Sequence, residues 1–265
     1  MMNIRKLLNY NDGYYMINRE ERNLAAIFYH ILLTGNNLTQ FINTIGSDFL
    51  ITDNELGIYL EYAYIRDLWN NIKQGNDFKR KLILDLLQPS NRQELENLTI
   101  FDFNDYFGAK RALSSKNIVS PSNWSIANYD KNIPDNDDFL KVCKFKWCFN
   151  AKPDIVIHTS HNTAICIEAK FESIEGIYPS KSIEKTIFNR RKISNIGQLS
   201  IQKHLMEEIL GVKTEYIFLI QKKSSSHIYN GKHKIVLWKE AFANLEISDC
   251  PNFIKECIKR LDNAD

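Results

Sequence analysis

Two carboxylates and an amine, Asp154, Glu168 and Lys170, stand at the far ends of two short apolar runs joined by a polar turn near Ser160 and His161. A hairpin centred on that turn sets Asp154 opposite Glu168, on one face of the pair, with Cβ atoms about 5 Å apart. Lys170 is two residues beyond Glu168 and shares the face. Such charges at the mouth of an apolar hairpin need partners, because an unpaired buried charge is expensive. For two converging carboxylates the natural partner is a divalent cation.

The elements that must hold this cluster follow from the patterning around it. Residues 154–158 and 163–170 read as the two hairpin strands. Ile155, Ile157, Ile165 and Ile167 line one face, while Val156, Cys166 and the charged cluster share the other. Apolar residues on both faces predict strands covered on both sides. Residues 139–149, F-L-K-V-C-K-F-K-W-C-F, alternate like a strand and are expected to precede the hairpin. After it comes a polar, basic stretch over 173–195, then a helix from about Asn195 to Leu210 closed by Gly211 at C′. Strands over 215–223 and 234–238 follow, separated by a loop at Ser224, Ser225, Ser226 and Gly231, and helices near 239–245 and 251–261 finish the chain.

The first half reads as helical. Asn18, Arg19, Glu20 and Glu21 open a helix, with Asn18 as N-cap and Leu24, Ile27, Phe28, Ile31 and Leu32 at helical spacing. Glu21 borders that apolar stripe, where a surface complement to the helix dipole is the plain expectation. A long helix capped by Asp53 or Asn54 is expected to run to about Lys73, another to cover 77–87, and a third to span Gln93 to about Leu113. Residues 114–138 read as a long connection. The expected division is therefore a helical region over 1–138 and a β-containing core over 139–265.

Composition narrows the function classes. Of 265 residues 44% are hydrophobic, enough for a sizeable core. The overall charge of +2 hides an asymmetry: 14 basic against 18 acidic residues over 1–140, and 20 against 14 over 141–265. The basic excess travels with the hairpin and favours a polyanionic partner there. Five cysteines without C-x-x-C spacing argue against a disulfide framework or a zinc site. No apolar run is long enough for a signal peptide or a membrane span. The expectation is a soluble protein of the cytoplasm, with no membrane partner.

Pro153-Asp154, followed after thirteen residues by Glu168-Ala169-Lys170, resembles the PD-(D/E)xK motif of the restriction-endonuclease-like nucleases. The resemblance covers roughly residues 139–223. It implies an α/β (α+β) fold, with a mixed central sheet of restriction-endonuclease-like type flanked by helices and preceded here by a helical N-terminal half. It implies that Asp154 and Glu168 bind Mg²⁺, with Mn²⁺ as a substitute, and that Lys170 assists the attacking water. The carbonyl of Ala169 could add a ligand, and Glu21 could supply the acidic residue that many members draw from an N-terminal helix. RecB-like members carry Q-x-x-x-Y on the following helix. Here the segment is Q-L-S-I-Q, so Gln198 matches and Gln202 departs from the tyrosine. Type alone points to DNA rather than RNA, to restriction or antiphage defence in a bacterium, and to a homodimer or a subunit of a defence complex.

The chemistry suits those residue types. Phosphodiester hydrolysis needs an activated water and neutralisation of charge on phosphate and leaving oxygen, both of which a hard cation provides. Mg²⁺ takes one or two carboxylates plus substrate phosphate and keeps several waters. Gln198 and Gln202, one helical turn apart, are placed to position phosphate or the lysine. Lys181, Lys185, Arg190, Arg191 and Lys192 are candidate phosphate contacts, although a run of this kind is more often a solvated loop. His158 and His161 flank the turn at the opposite end from the cluster and are expected to be surface residues. The rival reading is a non-catalytic nucleic-acid-binding or complex-forming module that keeps the fold.

Overall fold

The computed structural model describes residues 20–49, 51, 56–109, 114–171, 173, 175–222 and 233–262. In chain order these form helices α1 (Glu21–Leu32) and α2 (Asn37–Thr44), strand β1 (Gly57–Leu60), and helices α3 (Tyr64–Asn71), α4 (Asn76–Leu87), α5 (Arg92–Glu96), α6 (Ile100–Tyr106), α7 (Ile126–Tyr129) and α8 (Asn136–Cys148). Strands β2 (Ile155–Ser160), β3 (Thr163–Ala169) and β4 (Ile177–Tyr178), helix α9 (Ser182–Arg191), strand β5 (Ile196–Gly197) and helix α10 (Gln198–Lys203) follow. Strands β6 (Lys213–Ile220) and β7 (Lys234–Leu237) and helices α11 (Trp238–Phe242) and α12 (Asn252–Asp262) complete this mixed α/β set. Among these helices none is long and apolar enough to cross a membrane.

The chain gathers into two units, each built from separated segments. One comprises Met1–Leu60, Asp154–Ile174 and Glu215–Asp265, the other Glu61–Pro153 and Glu175–Thr214. The expected division at 138/139 falls instead within α8, inside the second unit. The reason is non-local pairing: a strand and two helices from the N-terminal half complete the sheet unit.

The first unit carries a five-stranded mixed sheet in the order β1-β2-β3-β6-β7. β1 and β2, and β2 and β3, pair antiparallel, whereas β6 and β7 run parallel. Ile155 faces Ile167, Val156 faces Cys166 and Ile157 faces Ile165, so one further step sets Asp154 against Glu168. The four isoleucines pack in one core with Ile217 and Leu219 of β6 and with the apolar faces of α1, α2 and α11. Phe28 is fully buried at its centre, edge-on to Phe41, Phe242 and Trp238 at centroid distances of 5.1, 5.2 and 5.7 Å.

The second unit has its own core around α8. Residues 139–149 are helical, not the expected strand. Asp135 Oδ1 accepts the N–H groups of Asp137 and Asp138, both at 2.9 Å, and thereby caps the helix. Phe139, Val142, Cys143, Phe145, Trp147 and Cys148 are all buried. A helix covered on nearly every side shows no apolar stripe, and its lysines happened to alternate. The strand expected there is supplied by β1, within the segment expected to be a long helix. Glu61, at φ +53°, and the non-helical Ala63 separate β1 from α3.

Other expectations shift less. The third N-terminal helix is two, α5 and α6, the latter capped by Thr99, whose hydroxyl oxygen accepts from the Asp102 N–H. The basic stretch 173–195 holds helix α9, and the connection over 114–138 holds α7. The helix ending at Gly211 (φ +69°) starts at Gln198 and widens into a π-helical turn, His204–Ile209. Trp238 opens α11 rather than closing β7. The N-cap at Asn18 with Arg19, the cap at Asp53 or Asn54, the helix end near Leu113, the strand end at Lys223 and the loop at Ser224, Ser225, Ser226 and Gly231 lie outside the described residues.

Phe28→Ala should remove the aromatic centre of the first unit's core and cost about 3–5 kcal/mol. A lowered urea midpoint with unchanged slope would report it.

Candidate functional site

β2 and β3 deliver the two carboxylates because the alternation that buries four isoleucines on one face turns Asp154, Glu168 and Lys170 to the other. Lys170 Nζ lies 2.7 Å from Glu168 Oε1 and donates to it. Both are largely removed from water, Glu168 being 2% exposed and Lys170 9%. Asp154 is half-buried, and its Oδ2 accepts the Ala169 N–H at 2.8 Å, across the mouth of the hairpin. The peptide between Glu168 and Lys170 thus fixes the carboxylate opposite them.

Glu21 joins this group from the first residue of α1. Leu24 and Phe28, three and seven residues on, are buried on the same side of the helix, so packing of the stripe carries Glu21 to the end of β3. Its Oε1 accepts the Phe171 N–H at 3.0 Å, the Ser173 N–H at 3.3 Å and the Ser173 hydroxyl. The plain expectation for Glu21, a surface complement to the helix dipole, therefore gives way to a specific clamp on the residues just after Lys170.

The charges interact. Burial works against the Lys170 ammonium, but the Glu168 carboxylate and its hydrogen bond, with Asp154 and Glu21 beyond it, outweigh burial and raise the lysine pKa above its ordinary value. Burial likewise opposes the Glu21 carboxylate. The Ser173 hydroxyl, the Phe171 N–H and the Lys170 charge more than compensate, so its pKa is lowered. Burial first, and then Glu168 and Asp154, push the Cys166 thiol well up, which keeps it protonated and inert.

Asp154, Glu168, Ala169, Lys170 and Glu21 are therefore all placed at one end of β2 and β3. Oxygen donors of this kind, carboxylates with a backbone carbonyl between them, fit a hard divalent cation rather than a soft one. Among the described residues no group of three or more His, Cys, Asp or Glu side chains is drawn together closely enough to hold a metal. In this arrangement the Lys170 ammonium meets the Glu168 charge.

The remaining candidates belong to the second unit. Gln198, half-buried, and Gln202, fully buried, both lie on α10. Gln198 packs its side-chain amide over Gly176, with Oε1 2.7 Å from where a Cβ on that glycine would be. Arg191 is engaged internally: Nε bonds Asp130 Oδ1 at 2.6 Å, its other nitrogens reach the carbonyls of Asp130, Ile133 and Pro134, and the guanidinium lies 4.0 Å from the Phe139 ring centroid. Arg190 also pairs with Asp130. Lys181 stands 3.9 Å from Glu184, and Lys185 and Lys192 are exposed. Asp130, whose neighbours in sequence carry no hint of a binding partner, explains why Arg191 folds inward, while Arg190 reaches the same carboxylate from an exposed position. His158, at the other end of β2, packs edge-on to Tyr59 at 5.8 Å, and burial, then His161, lowers its pKa.

Sequence reasoning missed Ser173 and Trp238. The Trp238 indole N–H donates to the Lys170 carbonyl at 2.9 Å. A tryptophan closing an apolar run is a signal for core, and nothing local told which carbonyl it would reach. No protein-family model, no curated protein and no solved structure matches this chain.

Two outcomes follow from the charges. Lys170→Met leaves Glu168 buried without its counter-charge and should destabilise by about 3 kcal/mol, most of it recovered in the Glu168→Gln/Lys170→Met double variant; urea unfolding of the set measures this. The lowered Glu21 pKa means its stabilisation is present above the unfolded carboxylate value and lost as pH falls through the folded one. Glu21→Gln should therefore lose less stability than the wild type between about pH 5 and pH 3, the span around an unperturbed Glu pKa, in thermal unfolding followed by circular dichroism.

Proposed function

We propose that this protein is a divalent-cation-dependent nuclease of the restriction-endonuclease-like kind, hydrolysing phosphodiester bonds, with DNA as the first substrate to test. The observation that carries the reading is the pairing of Asp154 and Glu168 across adjacent strands with Lys170 in contact with Glu168. Bound there, Mg²⁺ or Mn²⁺ would supply an activated water and neutralise charge on the phosphate. Asp154, Glu168 and the Ala169 carbonyl would hold it. The Ala169 N–H keeps the Asp154 carboxylate turned to the site. Lys170, carried on the same face, offers N–H donors to orient water or a phosphate oxygen. Glu21 braces the backbone that follows.

One observation favours a second reading. The Lys170–Glu168 pair is already closed at 2.7 Å, as in a purely structural charge cluster, and a non-catalytic nucleic-acid-binding module would keep it so. That module would bind DNA in a salt-sensitive way and tolerate loss of Lys170.

A plasmid-nicking assay separates the two. Mg²⁺ or Mn²⁺ should support nicking that a chelator abolishes, and Asp154→Ala, Glu168→Ala and Lys170→Ala should each lower the rate by about 100-fold or more, the scale of a lost acid–base or ligand group. Cleavage that persists unchanged in all three variants would sink the assignment.

A further inference from the structure

Lys170 lies one residue beyond the end of β3, beside β6, its neighbour in the sheet. Its two backbone groups are engaged by elements remote in sequence. The N–H donates to Leu219 O on β6 at 2.7 Å, and the carbonyl accepts the Trp238 indole N–H at 2.9 Å. Trp238 is 0% exposed, so no water competes for either partner, and a buried hydrogen bond of this sort is costly to lose. The donor has little freedom to swing away. Phe28 meets the indole edge-on at 5.7 Å and Phe242 stacks on it at 6.0 Å. Phe28 belongs to α1, the helix that presents Glu21, and Glu21 takes the very next N–H, that of Phe171. Fixing the N–H and the carbonyl of one residue fixes the direction in which its side chain leaves the backbone.

We propose that Trp238 is a positioning residue for Lys170, holding the carbonyl while β6 holds the N–H, so that the amine is carried onto the Glu168 carboxylate. The proposal rests on the reading of Lys170 as part of a nuclease site and adds to it a residue that no motif contains. A displacement of about 1 Å in a reacting group is enough to cost about 100-fold in rate, so a carbonyl anchor at this point has leverage on turnover rather than on substrate binding.

The test is Trp238→Phe, which keeps an aromatic ring in the core and deletes the donor. In the nicking assay kcat should fall about tenfold, with KM changed less than about twofold, the pattern of an interaction used in the transition state. In urea unfolding, Lys170→Met should raise the unfolding constant by about 100-fold in the wild-type background but by about tenfold or less in the Trp238→Phe background, because the misplaced amine no longer holds its ion pair. Stability effects that simply add overturn the proposal, whatever the activity. If the wild type cuts no nucleic acid, the nuclease reading fails by itself and the stability cycle still decides the role of Trp238. Should Trp238→Phe not fold, indole ¹⁵N–H spectra serve instead. The Trp238 signal should shift in Lys170→Met while those of Trp69, Trp124 and Trp147 stay in place, and an unmoved Trp238 signal counts against the proposal.

Discussion

An ammonium and a carboxylate held 2.7 Å apart out of water, Lys170 against Glu168, set the terms for the first unit of this protein. Neither charge is tolerable there alone, since desolvation of an isolated ion outweighs most of what packing contributes locally. The pair must be made with good geometry, and that requires the end of β3 to be fixed. Three tethers do this: Leu219 on β6, the Trp238 indole from α11 and Glu21 from α1. The aromatic cluster around Phe28 ties the last two together, so the apolar core and the charged cluster support each other across the sheet.

This arrangement explains why the chain is threaded as it is. The unit that carries the cluster draws on the N-terminal 60 residues, the hairpin and the C-terminal 51, while the intervening segments build a second core of their own. The second unit handles charge in the same manner. Arg191 is satisfied by Asp130, by main-chain carbonyls and by the face of Phe139, a use of the planar guanidinium that a lysine would not match. Basic residues close in sequence therefore have different fates: Arg191 is folded inward, while Lys185 and Lys192 are exposed.

The proposed function rests on donor chemistry and placement. Hard oxygen donors, a lysine on the same face and a brace from an N-terminal helix are the set on which the proposed phosphate chemistry rests. Each member is positioned by an identifiable interaction, and the hydrogen bond from Ala169 to Asp154 shows how few atoms lie between the two strands' contributions.

Period-2 alternation over 154–170 by itself determined the hairpin and the face on which Asp154, Glu168 and Lys170 stand, since a one-residue slip of either strand would turn its charged residues into the isoleucine core. The stripe of Leu24, Phe28 and Ile31 similarly determined α1. Patterns of this kind are local and are enforced by a single buried face. Tertiary structure alone decided the rest. Residues 139–149 lie buried on nearly all sides, so their periodicity carried no information and a capped helix formed where alternation suggested a strand. The short edge strand Gly57–Leu60 exists because β2 offers it a partner about one hundred residues away in the chain. Glu21 and Trp238 reach the end of β3 by packing across the core, and no spacing in one dimension records which backbone group a side chain will meet in three.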